Sequence, residues 1–345
     1  MSAREGDGDG APARVAVDSD SRLRGASTAA RRVLITGISG GIGRLVAHRL
    51  LEGEPARWEV IGLARRPFDD VLKSRVEFHQ ADLRKKRIED VFRLRRIEAV
   101  VHLAFDDDPL VPSKDRYKTN VLGTMKLLDC CEKYGVRKVV VLSTASVYGA
   151  LADNPTLIAE DTPARADLMH GGFRDRVEAD RYAQAWMYRN AKQATTVVLR
   201  PVHVLGERVH GSFQSYLRLP VVPTLLGYSP MMQVIHEEDV ARAIELALEG
   251  DVGGVFNIVG PGAVPLHTIL REVGAEALPL PPIGTLGLLD TLSRLRLVPF
   301  PPRQADFIRY SLVVSGDKAR EQLGFEAQVP LRETLRSASR ASARA

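Results

Sequence analysis

The segment Thr36–Gly43, TGISGGIG, carries Gly37, Gly40 and Gly43 in a G-x-x-G-x-x-G spacing. It joins a short apolar, β-branched run to a segment with helical spacing. Each glycine answers a separate physical need. Gly37 permits a sharp turn off a strand, Gly40 lets the backbone approach a pyrophosphate with no Cβ between, and Gly43 lets the next helix lie close to the sheet. Ser39, Gly41 and Ile42 complete the loop. The helix start then offers unpaired N–H groups and a partial positive charge to phosphates. Because the motif has strand on one side and helix on the other, it points to a dinucleotide site rather than to a plain glycine-rich turn.

The elements that must position this loop follow from periodicity. RRVLITG (31–37) is a strand, and IGRLVAHRLLEG (42–53) is a helix whose Leu45, Val46, Leu50 and Leu51 share a face. Strands are expected at 58–64, 75–83, 97–105, 136–149 and 195–201. Helices are expected at 115–135 and 174–193. The run 97–105 is apolar throughout, as a strand buried on both faces must be. Strands alternating with helices mean βαβ units and a parallel sheet. The fold class is therefore α/β: a Rossmann-type, doubly wound parallel sheet over 31–205. Beyond it the pattern loosens into a smaller C-terminal substrate lobe, 206–345. That part holds a helix at 236–250, a strand and turn at 254–262, a Pro-rich segment at 278–304 and a short helix at 316–325. Ligands of open parallel sheets bind at the carboxyl ends of the strands.

The chain has 345 residues, 45% hydrophobic and 26% charged, ordinary for a soluble globular protein. No apolar run reaches the roughly 18 residues of a membrane span. Residues 1–30 hold four Arg, five acids and scattered small residues, which reads as a disordered tail without a secretory core. The adjacent Cys130 and Cys131 cannot form a disulfide framework, so a reducing cytoplasm is expected. The net charge is +5, and its densest run is RKKRIEDVFRLRR (84–96). No aromatics interleave with these charges, and Ile88, Val91 and Phe92 share one face. The run is read as a solvated helix rather than a nucleic-acid surface. The scattered histidines lack paired ligand spacing, so no metal is expected.

With these segments the chain resembles the extended short-chain dehydrogenase/reductases, the group that includes nucleotide-sugar epimerases and dehydratases. The resemblance runs from about Val33 to Leu335 and rests on TGISGGIG, ADL (81–83), VVHLAF (100–105), TNVLGT (119–124), VLSTASVYG (141–149), LRPVHVLGE (199–207), VIHEEDVARAI (234–244) and FNIVG (256–260). It implies that Asp82 and Leu83 hold the adenine edge, and that the backbone at Leu103 and Ala104 flanks the nicotinamide ribose. It implies further that Asn120 steadies the helix beside the site, that Pro201 lies against the cofactor, and that the Thr144 hydroxyl bonds the reacting oxygen. NAD-specific members carry an acid at the end of the second strand. Here Ala64 stands there, followed by Arg65 and Arg66, and two guanidiniums favour the 2′-phosphate of NADP over NAD.

One family feature is missing. A tyrosine is expected about twenty-five residues after Thr144, with a lysine four residues later. In LMHGGFRDRVEADR (168–181), Gly172 occupies the tyrosine position, or Phe173 after a shift of one. Arg176 stands for the lysine and Asp180 for the acid that follows. A literal YxxxK at Tyr188–Lys192 lies too far along the helix, more than about 15 Å away at about 1.5 Å rise per residue. Three readings follow. The first is an enzyme with substitute acid–base groups among His170, Tyr148, Asp175 and His203, with Thr144 and Arg176 retained and a small carbonyl, hydroxyl or nucleotide-sugar compound as substrate. The second is a catalytically silent dinucleotide-binding sensor or scaffold. The third is a nucleic-acid or membrane-surface protein using the basic run 84–96, and it has the least in its favour. The first is preferred because Thr144, Asn120 and the VYG segment are kept. A homodimer is left open.

Overall fold

The computed structural model describes residues 31–52, 57–107, 111–169, 173–282 and 306–339, with positions 284, 287 and 291. The alternation read from the sequence is present. β1 (Arg31–Thr36) leads into α1 (Gly41–Leu51), and β2 (Trp58–Ala64), β3 (Glu77–Gln80), α2 (Arg87–Leu94) and β4 (Ala99–His102) follow. Then come α3 (Ser113–Tyr117), a π-helical turn Lys118–Leu122, α4 (Gly123–Lys133), β5 (Lys138–Leu142), α5 (Arg174–Arg189) and β6 (Thr195–Pro201).

Seven strands form one sheet in the order β11-β6-β5-β4-β1-β2-β3, with β11 at Gly254–Ile258. Every pairing in it is parallel. The order steps outward from β1 in both directions, so the strand ends at β1 and β4 mark the topological switch point where such sheets open a crevice. Two apolar clusters cover the two faces. One is built on α1 and on α7 (Glu237–Glu249), which follows the short α6 (Ser212–Leu217); the other is built on α2, α4 and α5. Cys130 and Cys131 belong to the second cluster as free, buried thiols.

The later half contributes to the main sheet as well as to the cleft, because β11 lies beyond residue 205. Three further two-stranded pairs are β10 (Val234–His236) with β7 (His203–Leu205), β12 (Val264–Pro265) with β9 (Met231–Met232), and β13 (Ala277–Leu280) with β8 (Val222–Leu225). The described residues from Arg31 onward form one compact unit.

Several expected spans shorten. The strand expected at 75–83 pairs only over Glu77–Gln80. The strand expected at 136–149 ends at Leu142 and gives way to a 3-10 turn at Ala145–Tyr148. The long helix expected at 115–135 is broken by the π turn. The tail 1–30 and most of the Pro-rich segment lie outside the described residues. In the basic run, α2 buries Ile88, Val91 and Phe92, while Arg84, Arg93 and Arg95 pair with Asp82, Asp90 and Glu77. Among the described residues no helix is long and apolar enough to cross a membrane, and no group of three or more His, Cys, Asp or Glu is placed to hold a metal ion.

Candidate active site

A cleft of about 380 Å³ opens at the carboxyl ends of β1, β4, β5 and β6. The glycine loop forms one wall. Gly37 turns off β1 at φ +75°, and a Cβ there would fall 2.9 Å from the Leu103 and Ala104 backbone. A Cβ at Gly43 would lie 2.5 Å from the Gly37 carbonyl oxygen, so the helix could not seat. Gly40 is different: its φ is −77° and a Cβ would meet only the Gly37 oxygen at 3.3 Å. Its missing side chain therefore leaves room on the cleft side. α1 has no side-chain cap and no acid in its first turn, so no side chain of that turn neutralises the positive end of the helix. Ser39 turns outward and donates from Oγ to the Arg66 carbonyl at 2.9 Å.

The loop after β4 is held by Asn120. This side chain is fully buried; it accepts from the Asp106 N–H at 2.7 Å and donates to the Asp106 carbonyl at 2.9 Å and to Asp175 Oδ2 at 2.5 Å. Asn120 sits in the π turn, where the wider helical step aims it at this loop. Leu103, Phe105 and Asp107 reach the cleft, whereas Ala104 packs against the α2–α4–α5 core. Behind them His102 lies between Thr36 Oγ1 at 2.7 Å and Thr124 Oγ1 at 2.8 Å. Burial pushes His102 down to about 3, so it is a neutral connector of β1, β4 and α4.

After β5, Ser143, Thr144 and Ser146 line the cleft. Thr144 Oγ1 accepts from the Ser146 N–H at 3.2 Å and keeps its own proton for a further acceptor. Tyr148 does not join them. Its hydroxyl donates to Asn257 Oδ1 at 2.8 Å and accepts from Arg200 at 2.8 Å, and the residue is 1% exposed. Tyr148 is thus placed in a buried network with Arg200 and Asp180, not at the cleft, and the expectation that it offers a substitute acid–base group is corrected here. Burial raises its phenol above the ordinary value.

Arg176 on α5 faces the cleft with its guanidinium over the Phe105 ring, 4.4 Å from the centroid. It pairs with Asp107, Nε donating at 2.9 Å. Four residues on, Asp180 turns inward to pair with Arg200 at 2.6 Å and to accept from Ser143 Oγ at 2.5 Å. Asp175 is buried against Asn120. Phe173 lines the cleft; His170 and Gly172 lie outside the described residues. Pro201 at the end of β6 and His203 at the start of β7 close the far wall. His203 stacks on Phe213 at 4.4 Å and meets Phe307 edge-on at 5.3 Å, and burial pushes its imidazole down to about 4.

Arg65, Arg66, Asp82 and Leu83 lie outside the lining, along the ends of β2 and β3. Arg65 pairs with Asp106 at 2.9 Å. Arg66 is exposed. Asp82 is held low by hydrogen bonds from Arg84, and Leu83 is buried in the core. Tyr188, from the distant YxxxK, is 73% exposed and lines a separate hollow of about 860 Å³ along β6 and β11 that includes none of the expected site residues. Arg208, which the sequence offers with Arg218 as a possible phosphate partner, lines the cleft; the residues that sequence reasoning missed are His102, hidden in an apolar strand, and Val209–Phe213, which the chain brings back over the glycine loop. Nothing local signals that return.

Comparison with known proteins agrees with this geometry. The sequence model of the NAD dependent epimerase/dehydratase family matches residues 33–259. An uncharacterized protein, Rv0501, of Mycobacterium tuberculosis is 30% identical over 300 residues, covering 85% of this chain and 79% of the relative. A UDP-glucose 4-epimerase of Azospirillum brasilense is 29% identical, covering 87% and 88%. The fold is shared with the crystal structure of UDP-glucose 4-epimerase from Thermotoga maritima with UDP-glucose, at TM-score 0.69 and 24% identity over 89% of this chain and 97% of that one. The glycine loop, the sheet that carries it and the match over 33–259 establish that the chain belongs to the NAD dependent epimerase/dehydratase family.

Proposed function

We propose that the chain is an oxidoreductase of the epimerase/dehydratase type that binds a nicotinamide dinucleotide along Gly37–Gly43 and acts on a small hydroxyl or carbonyl compound, nucleotide sugars included. The observation that carries this reading is that one cleft is lined by the glycine loop, Thr144, Arg176, Pro201 and His203. Residues 31–205 are read as the dinucleotide-binding part, and the chain beyond 206 as the part that meets the substrate. A bound nicotinamide supplies hydride exchange. The protein's own residues do the rest. Thr144 donates its free hydroxyl proton to the reacting oxygen. Arg176, in the family's lysine position, meets the ribose once its pairing with Asp107 loosens. Asn120 holds the loop whose Leu103 and Ala104 backbone flanks the ribose. His203 is one of two described imidazoles on the cleft, with His210; burial keeps it neutral near pH 7 and makes it a weak proton acceptor. His170 is the second candidate for that role.

NADP is preferred to NAD. Arg66 has no acidic partner among the described residues, so it can turn to a 2′-phosphate, and Asp82 is committed to Arg84. The relatives of known structure include NAD complexes, so both dinucleotides belong in the test. Mass spectrometry of the purified protein should detect a retained nicotinamide dinucleotide. A panel of nucleotide sugars and carbonyl compounds should then give turnover that falls in Thr144→Ala. Tight dinucleotide binding with no turnover across the panel overturns the enzyme reading. It would favour the silent sensor or scaffold, which Gly172 and the inward-turned Tyr148 support.

A further inference from the structure

Arg208 stands over the glycine loop, and neither the motif nor the family comparison assigns it a role. The turn after β7 folds back onto the start of α1. A Cβ at Gly41 would lie 2.3 Å from the Arg208 carbonyl oxygen and 3.0 Å from the Arg208 Cβ. The Arg208 backbone therefore packs against Gly41 at the start of α1, and its side chain lines the same cleft as Gly40 and Gly41.

A buried carboxylate fixes this position. Glu237, the first residue of α7, is 1% exposed. It accepts from the Glu207 N–H at 3.2 Å and from the Arg208 N–H at 3.0 and 3.3 Å. Gly206 makes room for it, since a Cβ there would fall 2.2 Å from the Glu237 carboxyl carbon. Gln214 grips the other side, accepting from the Gly206 N–H at 3.0 Å and donating to the Gly206 and Val209 carbonyls at 2.6 and 3.1 Å. The backbone is held by several bonds, yet the guanidinium is 54% exposed and leans on Glu238 and Glu237 only at 3.4 and 3.6 Å. A positive side chain thus lines the cleft onto which the uncapped start of α1 opens. An anion between them satisfies both.

We infer that Arg208 binds the dinucleotide pyrophosphate from the side opposite α1, with Glu237 as its positioning residue; this rests on the coenzyme reading above. The pyrophosphate is favoured over a substrate diphosphate because the close approach is to Gly41, in the glycine loop itself.

Calorimetric titration of the full chain with NADP+ and NAD+ tests this. Arg208→Ala should weaken both dinucleotides alike, by about tenfold, the scale of one half-exposed charge-assisted contact. Arg208→Lys should recover most of the loss. Wild-type affinity should fall more steeply with added NaCl than that of Arg208→Ala. Glu237→Gln should weaken binding severalfold in the wild type and add nothing in the Arg208→Ala background, which a purely structural role would not produce. Kd values within twofold of wild type in Arg208→Ala overturn the inference. So does a loss confined to UDP-glucose titrated into coenzyme-loaded protein, which would move Arg208 to the substrate diphosphate. If the wild type binds neither dinucleotide, the coenzyme reading falls first and this inference with it.

Discussion

Asn120→Ala removes three hydrogen bonds from a fully buried position, and two of them hold the Asp106 backbone on either side. The Asp106 N–H and carbonyl lose their partner together, and Asp175 loses one donor. A net neutral bond contributes about 1 kcal/mol and one to a charged group about 1.5–3 kcal/mol, so the expected loss of stability is about 3–5 kcal/mol. The damage is also directional. The freed loop carries Phe105 and Asp107, the two residues that Arg176 stacks on and pairs with. Dinucleotide affinity should therefore fall by more than the global loss alone explains, about tenfold under conditions where the variant is fully folded. Urea unfolding followed by circular dichroism gives the first quantity, and calorimetry with NADP+ at low temperature gives the second. A stability loss below about 0.5 kcal/mol, the range of ordinary surface substitutions, would refute the claim that Asn120 is the clamp of this loop.

Asp180→Ala should cost about 3–5 kcal/mol, because it leaves the Arg200 guanidinium, 1% exposed, as an unpaired buried charge; urea unfolding would refute this if the midpoint hardly moves. Tyr148→Phe should lower stability by about 1–3 kcal/mol through the lost bonds to Asn257 and Arg200, while leaving the Kd for NADP+ unchanged; a changed Kd with intact stability would return Tyr148 to the site. The His102 imidazole, pushed by burial to about 3, binds its proton less readily in the folded than in the unfolded chain. Its contribution is full above about pH 6.5 and is lost as pH falls toward 3, with a slope of up to about 1.4 kcal/mol per pH unit. His102→Gln should flatten stability between pH 7 and pH 5 by that component, and an equal slope in both proteins would contradict the assignment. Arg66→Ala should weaken NADP+ by about a decade and leave NAD+ unaffected; equal losses for both would remove the 2′-phosphate role.

Much of the fold is legible because its signals are local. Strand runs such as 31–36 and 195–201 and the amphipathic face of α2 are set by side-chain periodicity within a few residues. The glycine loop is legible for the same reason: its turn, its close approach to the sheet and the helix start are consecutive in the chain. What escaped depends on distant contacts. The π turn at Lys118–Leu122 exists where Asn120 reaches the Asp106 backbone, and no local pattern marks it. Tyr148 belongs to a stretch that resembles a catalytic segment, yet Arg200 and Asn257, far along the chain, turn its hydroxyl inward. Arg65 reads in sequence as a pair with Arg66, but Asp106 takes it from another strand end. Arg208 is readable in sequence as a possible phosphate partner, but its place against Gly41 is fixed by the distant Glu237 and Gln214.

The central claim is that Gly37–Gly43 receives the phosphates of a nicotinamide dinucleotide, and Gly40→Val tests it most directly. Gly40 lies at φ −77°, and its Cβ position meets only one backbone oxygen, at 3.3 Å. The variant should fold, with the added side chain standing in the cleft. Calorimetry should show wild-type binding of NADP+ and none in the folded Gly40→Val protein. Equal affinity in both proteins, with circular dichroism confirming the fold, would contradict the account.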